Sequence, residues 1–183
     1  MFLRLVLCFL LSLPTALLAD GWGALREPGA IALMRHALAP GRGDPDQFTL
    51  GDCSTQRNLD NRGRDQARRI GAALRAEGIA FDAIWSSEWC RSFETAELVE
   101  MGEVVARPML NSFFAGRGDR QGQTSDTLKA LSQLSPDARV LLVSHQVNIT
   151  ALTGVVPRSG EIIVAQRRTN GTLEVTGRVN NAP

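Results

Sequence analysis

Neither sign of charge prevails in this chain: 20 basic residues stand against 19 acidic ones over 183 positions. Without a basic excess there is no electrostatic footprint for nucleic acid or for an anionic membrane surface, and neither is expected as a partner. Metal-ligand spacing is missing as well. Neither Cys-x-x-Cys nor His-x-x-x-His occurs, which removes the common zinc arrangements; no metal or other cofactor is expected. There is no internal repeat and no sign of a second domain. The content, 44% hydrophobic and 21% charged, suits one globular domain with a real core.

A membrane-spanning run is also lacking. The longest apolar stretch, Leu5 to Leu13, follows Arg4 and precedes Pro14 and the small residues Ala16 and Ala19. It is too short to cross a bilayer and reads as a secretory signal covering residues 1–19, cut after Ala19, or after Gly21 in the alternative. The competing reading is an uncleaved anchor. Cys8 lies inside the apolar region with no small residue before it, so it is not read as a lipid-attachment site. A periplasmic or secreted domain over residues 20–183 follows, and losing Arg4 brings its charge to 19 against 19. That domain keeps two cysteines, Cys53 and Cys90. An oxidising compartment invites a disulfide between them, although two buried free thiols are the alternative.

What is present is an alternation of strands and helices. Ile31-Ala32-Leu33-Met34 is continuously apolar, the pattern of a strand buried on both faces of a parallel sheet, and it stops at Arg35-His36. Asp20 to Gly29 reads as a loop with Trp22 beneath it. Leu38 to Ser54 is rich in Gly, Pro and Asp and has no period, a long loop on the ligand side. Asp60 caps a helix whose stripe is Ala67, Ile70, Gly71 and Leu74, ending at Gly78, with Arg62, Arg64, Arg68, Arg69 and Arg75 on solvated faces.

Ile79 to Ser87 holds a second strand, followed by a helix from Trp89 to Met101 closed by Gly102. Val104 to Ala106 is a third strand. Leu110 to Gln123 is a second glycine-bearing loop and a candidate lid, after which Thr124 or Ser125 caps a helix built on Leu128, Leu131 and Leu134. Arg139 to Val143 is a strong strand ending at Ser144-His145; a helix from Asn148 to Thr153 stops at Gly154. Ile162 to Ala165 and Leu173 to Val175 form a hairpin around Asn170-Gly171. The pattern predicts an α/β fold, a three-layer α/β/α sandwich with a mostly parallel sheet and an antiparallel edge.

Three strands end in reactive residues: Arg35-His36, Ser86-Ser87 leading to Arg91, and Ser144-His145. In a parallel sheet these ends share one edge, where ligands bind. Both histidines of the chain fall there. Arginine beside histidine suits an anionic substrate, since guanidinium grips oxygens bidentately while imidazole attacks or shuttles a proton.

These residues carry a resemblance. Leu33-Met34-Arg35-His36 resembles the Arg-His-Gly signature of the histidine phosphatase superfamily, the phosphoglycerate-mutase-like fold. Ser86-Ser87 with Arg91 and Glu94-Thr95-Ala96 is similar to its second signature. Leu59 with Gly63, Gln66 and Ala67 resembles its Leu-x-x-x-Gly-x-x-Gln-Ala helix, and Val143-Ser144-His145 its second-histidine strand. The whole pattern is similar to the small secreted bacterial members. The resemblance implies a phosphatase acting on a small phosphomonoester. His36 would be the nucleophile forming a phosphohistidine, with Arg35, Arg91 and His145 around the phosphoryl oxygens. It further implies that His36 stays neutral while His145 is more useful protonated, two environments pushing the pKa values apart.

Two departures stand out. Ala37 replaces the signature glycine. The general acid has no obvious source, because Gln146 follows the second histidine and Leu110 to Phe114 contains no glutamate. Glu88, Asp119 and Glu161 are the candidates. Arg42, Arg57, Gln146 and Asn148 are candidate substrate contacts. A Cys53–Cys90 bridge would pin the long loop over the pocket. The gap in the acid raises the alternative of a weakly active or inactive phosphate- or phosphoglycan-binding protein.

Overall fold

The structure, a computed structural model, describes residues 21–180; the segment read as a signal lies outside them. A six-stranded sheet has the order β3-β2-β4-β1-β5-β6, with β1 Ile31–Arg35, β2 Ala83–Ser86, β3 Val104–Ala106, β4 Val140–Ser144, β5 Ile162–Arg167 and β6 Leu173–Val179. Strands β1 to β4 pair in parallel, β1 beside β4 and β4 beside β2. β5 runs antiparallel to β1 and β6 to β5. This is the mostly parallel α/β sheet with an antiparallel edge that the residue pattern predicts.

Why β1 is apolar at every position is visible in the packing. Ala32 and Met34 join the core on one face with Ala67, Ile70, Leu74 and Val99. Ile31 and Leu33 join the other with Leu110, Leu131 and Ile149. A central strand faces two helix layers, so alternation has nothing polar to alternate with. β4 divides in the same way, Leu141 and Val143 against Val140 and Leu142.

The first layer holds α1 Gly21–Arg26, α2 Asn61–Ala76 and α3 Cys90–Val99; the second holds α4 Arg120–Ser132 and α5 Gln146–Thr153. Asp60 caps α2 by accepting from Gly63 N at 2.8 Å, and its buried stripe is Gly63, Gln66, Ala67, Ile70, Gly71 and Leu74. Two of these are glycine because of backbone approach: a methyl on Gly63 would overlap the Leu38 carbonyl, and one on Gly71 the Val99 carbonyl.

Three expectations change. Residues 21–26 are helix rather than loop. Six residues are too short to show a period, but Gly21 seats against the Arg178 backbone and Ala24 and Leu25 are buried. α4 starts at Arg120, not near Thr124. Asp119 is its cap, accepting from Gln121 N at 3.0 Å, while Thr124 bonds back to the Arg120 carbonyl inside the helix. α5 starts at Gln146 with His145 as its N-cap residue, two residues earlier than expected.

Candidate active site

Parallel pairing brings the three strand ends to one edge. His36 N donates to the Ser144 carbonyl at 2.9 Å and Ser87 N to the Val143 carbonyl at 3.0 Å, which ties the β1 and β2 exits to β4. Arg91 enters from the first turn of α3. A cavity of about 340 Å³ opens there, walled by Arg35, His36, Arg91 and His145. Arg42, Arg57, Gln146 and Ser112 complete it together with Gly41, Gly43, Phe114 and Val147.

The rings of His36 and His145 stand edge-on, 5.5 Å apart. Nδ1 of His36 lies 2.7 Å from the Ala37 carbonyl. A carbonyl can only accept, so Nδ1 carries the proton and Nε2 keeps its lone pair. That lone pair faces Arg91 Nε at 3.3 Å. His145 is oriented oppositely. Its Nε2 lies 2.9 Å from Ser87 Oγ and its Nδ1 3.4 Å from Arg91 Nη2. Ser87 Oγ donates to Asn111 Oδ1 at 3.1 Å, leaving its lone pairs for the His145 Nε2–H. A bare nitrogen of each ring therefore looks at the same guanidinium.

Burial, then the charge of Arg91, holds the His36 pKa well below 6.5; Arg35 and Arg57 add to this, against an upward pull from the Ala37 carbonyl. Burial, Arg91 and then His36 depress His145 in the same way. The expectation that the two would be pushed apart is not met: both pKa values lie well below 6.5, because burial and then one guanidinium act on both rings. Desolvation followed by Arg91 lowers Arg57 to about 10.

The carboxylate that meets this cluster is Asp44, which sequence reasoning passed over. It takes Arg91 bidentately, Nη1 to Oδ1 at 2.7 Å and Nη2 to Oδ2 at 3.1 Å, with both side chains almost fully buried. Trp89 Nε1 and Arg57 N add bonds of 3.2 Å each. Burial alone would raise Asp44, but the hydrogen bonds and charge of Arg91 win, and its pKa lies below the usual carboxylate value. Nothing in the sequence separates Asp44 from Asp46 and Asp52 in the same loop.

The general-acid candidates do not gather at the cavity. Glu88 accepts from Asn111 Nδ2 at 2.7 Å and lines a second groove beside Cys53 and Cys90. Asp119 is an exposed helix cap. Glu161 is buried against Arg178, Nε to Oε1 at 2.8 Å, and against Arg158 N at 2.7 Å. Asn148 also misses the cavity: its Nδ2 donates to the Asn111 carbonyl at 2.8 Å, and α5 turns that face toward the protein. Arg42, Arg57 and Gln146 do reach it. Cys53 and Cys90 are bridged, with Cα atoms 5.7 Å apart.

Residues 31–139 match the histidine phosphatase superfamily (branch 1). The chain belongs to this superfamily. A 2,3-bisphosphoglycerate-dependent phosphoglycerate mutase of Azorhizobium caulinodans is 38% identical over 77 residues, 40% of this chain and 37% of that protein. The match thus spans well under half of that relative's length. Among solved structures, the protein histidine phosphatase SixA complexed with tungstate superposes with a TM-score of 0.62 at 18% identity, over 83% of this chain and 97% of that one. A phosphoserine phosphatase from Entamoeba histolytica with 3-phosphoglyceric acid gives 0.61 at 16% identity, over 84% and 97%. At such identities the likeness to these structures is one of fold. Members of the superfamily are phosphatases and mutases, and Arg35, His36 and Arg91 of this cavity lie within the matched segment.

Proposed function

We propose that the protein is a histidine-dependent, metal-independent phosphatase that hydrolyses a small phosphomonoester through a phosphohistidine on His36. The observation that carries this reading is the His36 ring itself. Its Nδ1 proton is held by the Ala37 carbonyl at 2.7 Å and its Nε2 lone pair opens on a cavity walled by guanidiniums. Nε2 attacks phosphorus as the ester P–O bond breaks, and the departing alkoxide takes a proton from solvent to leave as the alcohol. Water then attacks the phosphohistidine, the P–N bond breaks, and inorganic phosphate leaves with His36 restored. Arg35 and Arg91 meet the charge that concentrates on the phosphoryl oxygens. A low His36 pKa keeps the nucleophile uncharged at neutral pH. The apolar opening of the chain supports export of the domain to a periplasmic or extracellular compartment, and the Cys53–Cys90 bridge is consistent with oxidising surroundings.

A second reading, a phosphate- or phosphoglycan-binding protein with little or no turnover, is favoured by one observation: among the described residues, no carboxylate lines the cavity. Release of p-nitrophenol from its phosphate ester, compared between wild type and His36→Ala, separates the two. Turnover in wild type, abolished in the variant, together with an acid-labile phosphoenzyme supports the phosphatase. Equal background in both rejects it.

A further inference from the structure

Arg91 presents two edges. The Nη1–Nη2 edge is taken by Asp44, and Nε with the second hydrogen of Nη2 faces His36 Nε2 and His145 Nδ1 at 3.3 and 3.4 Å. Asp44 is 5% exposed in its side chain and does not line the cavity; it stands behind the guanidinium. We propose that Asp44 is the positioning residue for Arg91, gripping its outer edge so that its inner edge is turned toward the phosphoryl group. The inference rests on the phosphoryl-binding reading of the cavity.

A guanidinium on a flexible stem has many rotamers, and bidentate pairing to a carboxylate removes most of them. Asp44 is itself fixed from two further directions. Trp89 Nε1 and Arg57 N donate to it at 3.2 Å, and Trp89 stacks on Phe48 of the same loop at 4.8 Å. Among the described residues, no other carboxylate pairs with any of the four arginines of the cavity. Asp44 therefore fixes one of the four guanidiniums through a carboxylate, while Arg35 and Arg57 are held by backbone carbonyls, those of Pro157 and of Gly43 and Ala39.

Charge and position make opposite predictions for Asp44→Asn. The variant keeps the shape and makes the cavity more positive by one unit. If Asp44 acted only through its charge, inorganic phosphate would bind more tightly to the variant. If it positions Arg91, phosphate binds more weakly, because the amide places N–H groups against guanidinium N–H groups. Titration calorimetry with inorganic phosphate on folded protein, verified by circular dichroism, is expected to show Kd raised at least tenfold. A Kd unchanged or lowered overturns the inference. If Asp44→Asn does not fold, Trp89→Phe removes one donor to Asp44 and leaves the ion pair. It is expected to weaken phosphate two- to fivefold, and unchanged binding overturns the proposal. Wild type that binds phosphate without turnover defeats the phosphatase reading and leaves this test intact. Wild type that binds no phosphate removes both.

Discussion

Reduction of the Cys53–Cys90 bridge is expected to lower the thermal midpoint by about 8–16 °C, on the scale of 2–4 °C per kcal/mol for a chain of this size. The two cysteines are 37 residues apart. Opening a loop of that length returns about 4 kcal/mol of conformational freedom to the unfolded chain. Cys53 is exposed and the bridge lines a surface groove, so a water-soluble phosphine reaches it without denaturant. Circular dichroism melts of the oxidised protein, the reduced protein and Cys53→Ser/Cys90→Ser make the measurement. The bridge joins the segment ahead of α2, which carries Arg57 and follows Asp44, to the residue before Arg91. KM for p-nitrophenyl phosphate should therefore rise several-fold in the double variant. Melting within 2 °C for all three forms would refute the reasoning, as would peptide mapping that finds both thiols free in oxidised protein.

Arg91→Lys keeps the charge but loses the fork that meets Asp44, His36 and His145 together. It is expected to lower kcat/KM at least a hundredfold, about 3 kcal/mol in steady-state assays, and activity within threefold of wild type would contradict the geometry. Gly63→Ala drives a methyl into the Leu38 carbonyl just after His36; a loss of about 1–3 kcal/mol in urea unfolding is expected, and an unchanged midpoint would show that the helix slides freely. The two depressed histidines give a signed pH dependence. Below the ordinary pKa near 6.5 the unfolded chain binds protons that the folded chain refuses. Stability is thus complete above that pH and declines as pH falls toward the folded values, by up to about 1.4 kcal/mol per unit for each ring. Urea midpoints in phosphate-free buffer at pH 7.5 and 5.5 check this, and equal midpoints would mean that the rings charge freely when folded.

The strand ends were legible because their signal is local. Ile31 to Met34 and Val140 to Val143 are apolar on both faces and each run stops at polar residues that chemistry can use. Parallel pairing then does the rest, and Arg35, His36, Arg91 and His145 meet as the spacing implies. What the residue pattern left dark lies in segments without a period. Asp44, Ser112 and Phe114 reach the site from loops, where any of several Asp, Ser or Phe residues would look the same. The early start of α4 was hidden because Gly122 reads as loop, yet near a helix start it packs against the capping Asp119 carboxylate. Glu88 is a candidate acid by sequence, but its carboxylate is turned to Asn111.

The uncharged state of His145 has a consequence for how the cavity fills. Burial first, and then the charge of Arg91, keeps the ring unprotonated; a dianion arriving beside it offsets the second of these, so ligation is expected to favour proton uptake by His145. Uptake and affinity are then reciprocal: phosphate is held more tightly in mild acid and let go more readily in mild base. The heat of binding would vary with the ionisation enthalpy of the buffer, and product release would quicken as the medium turns alkaline.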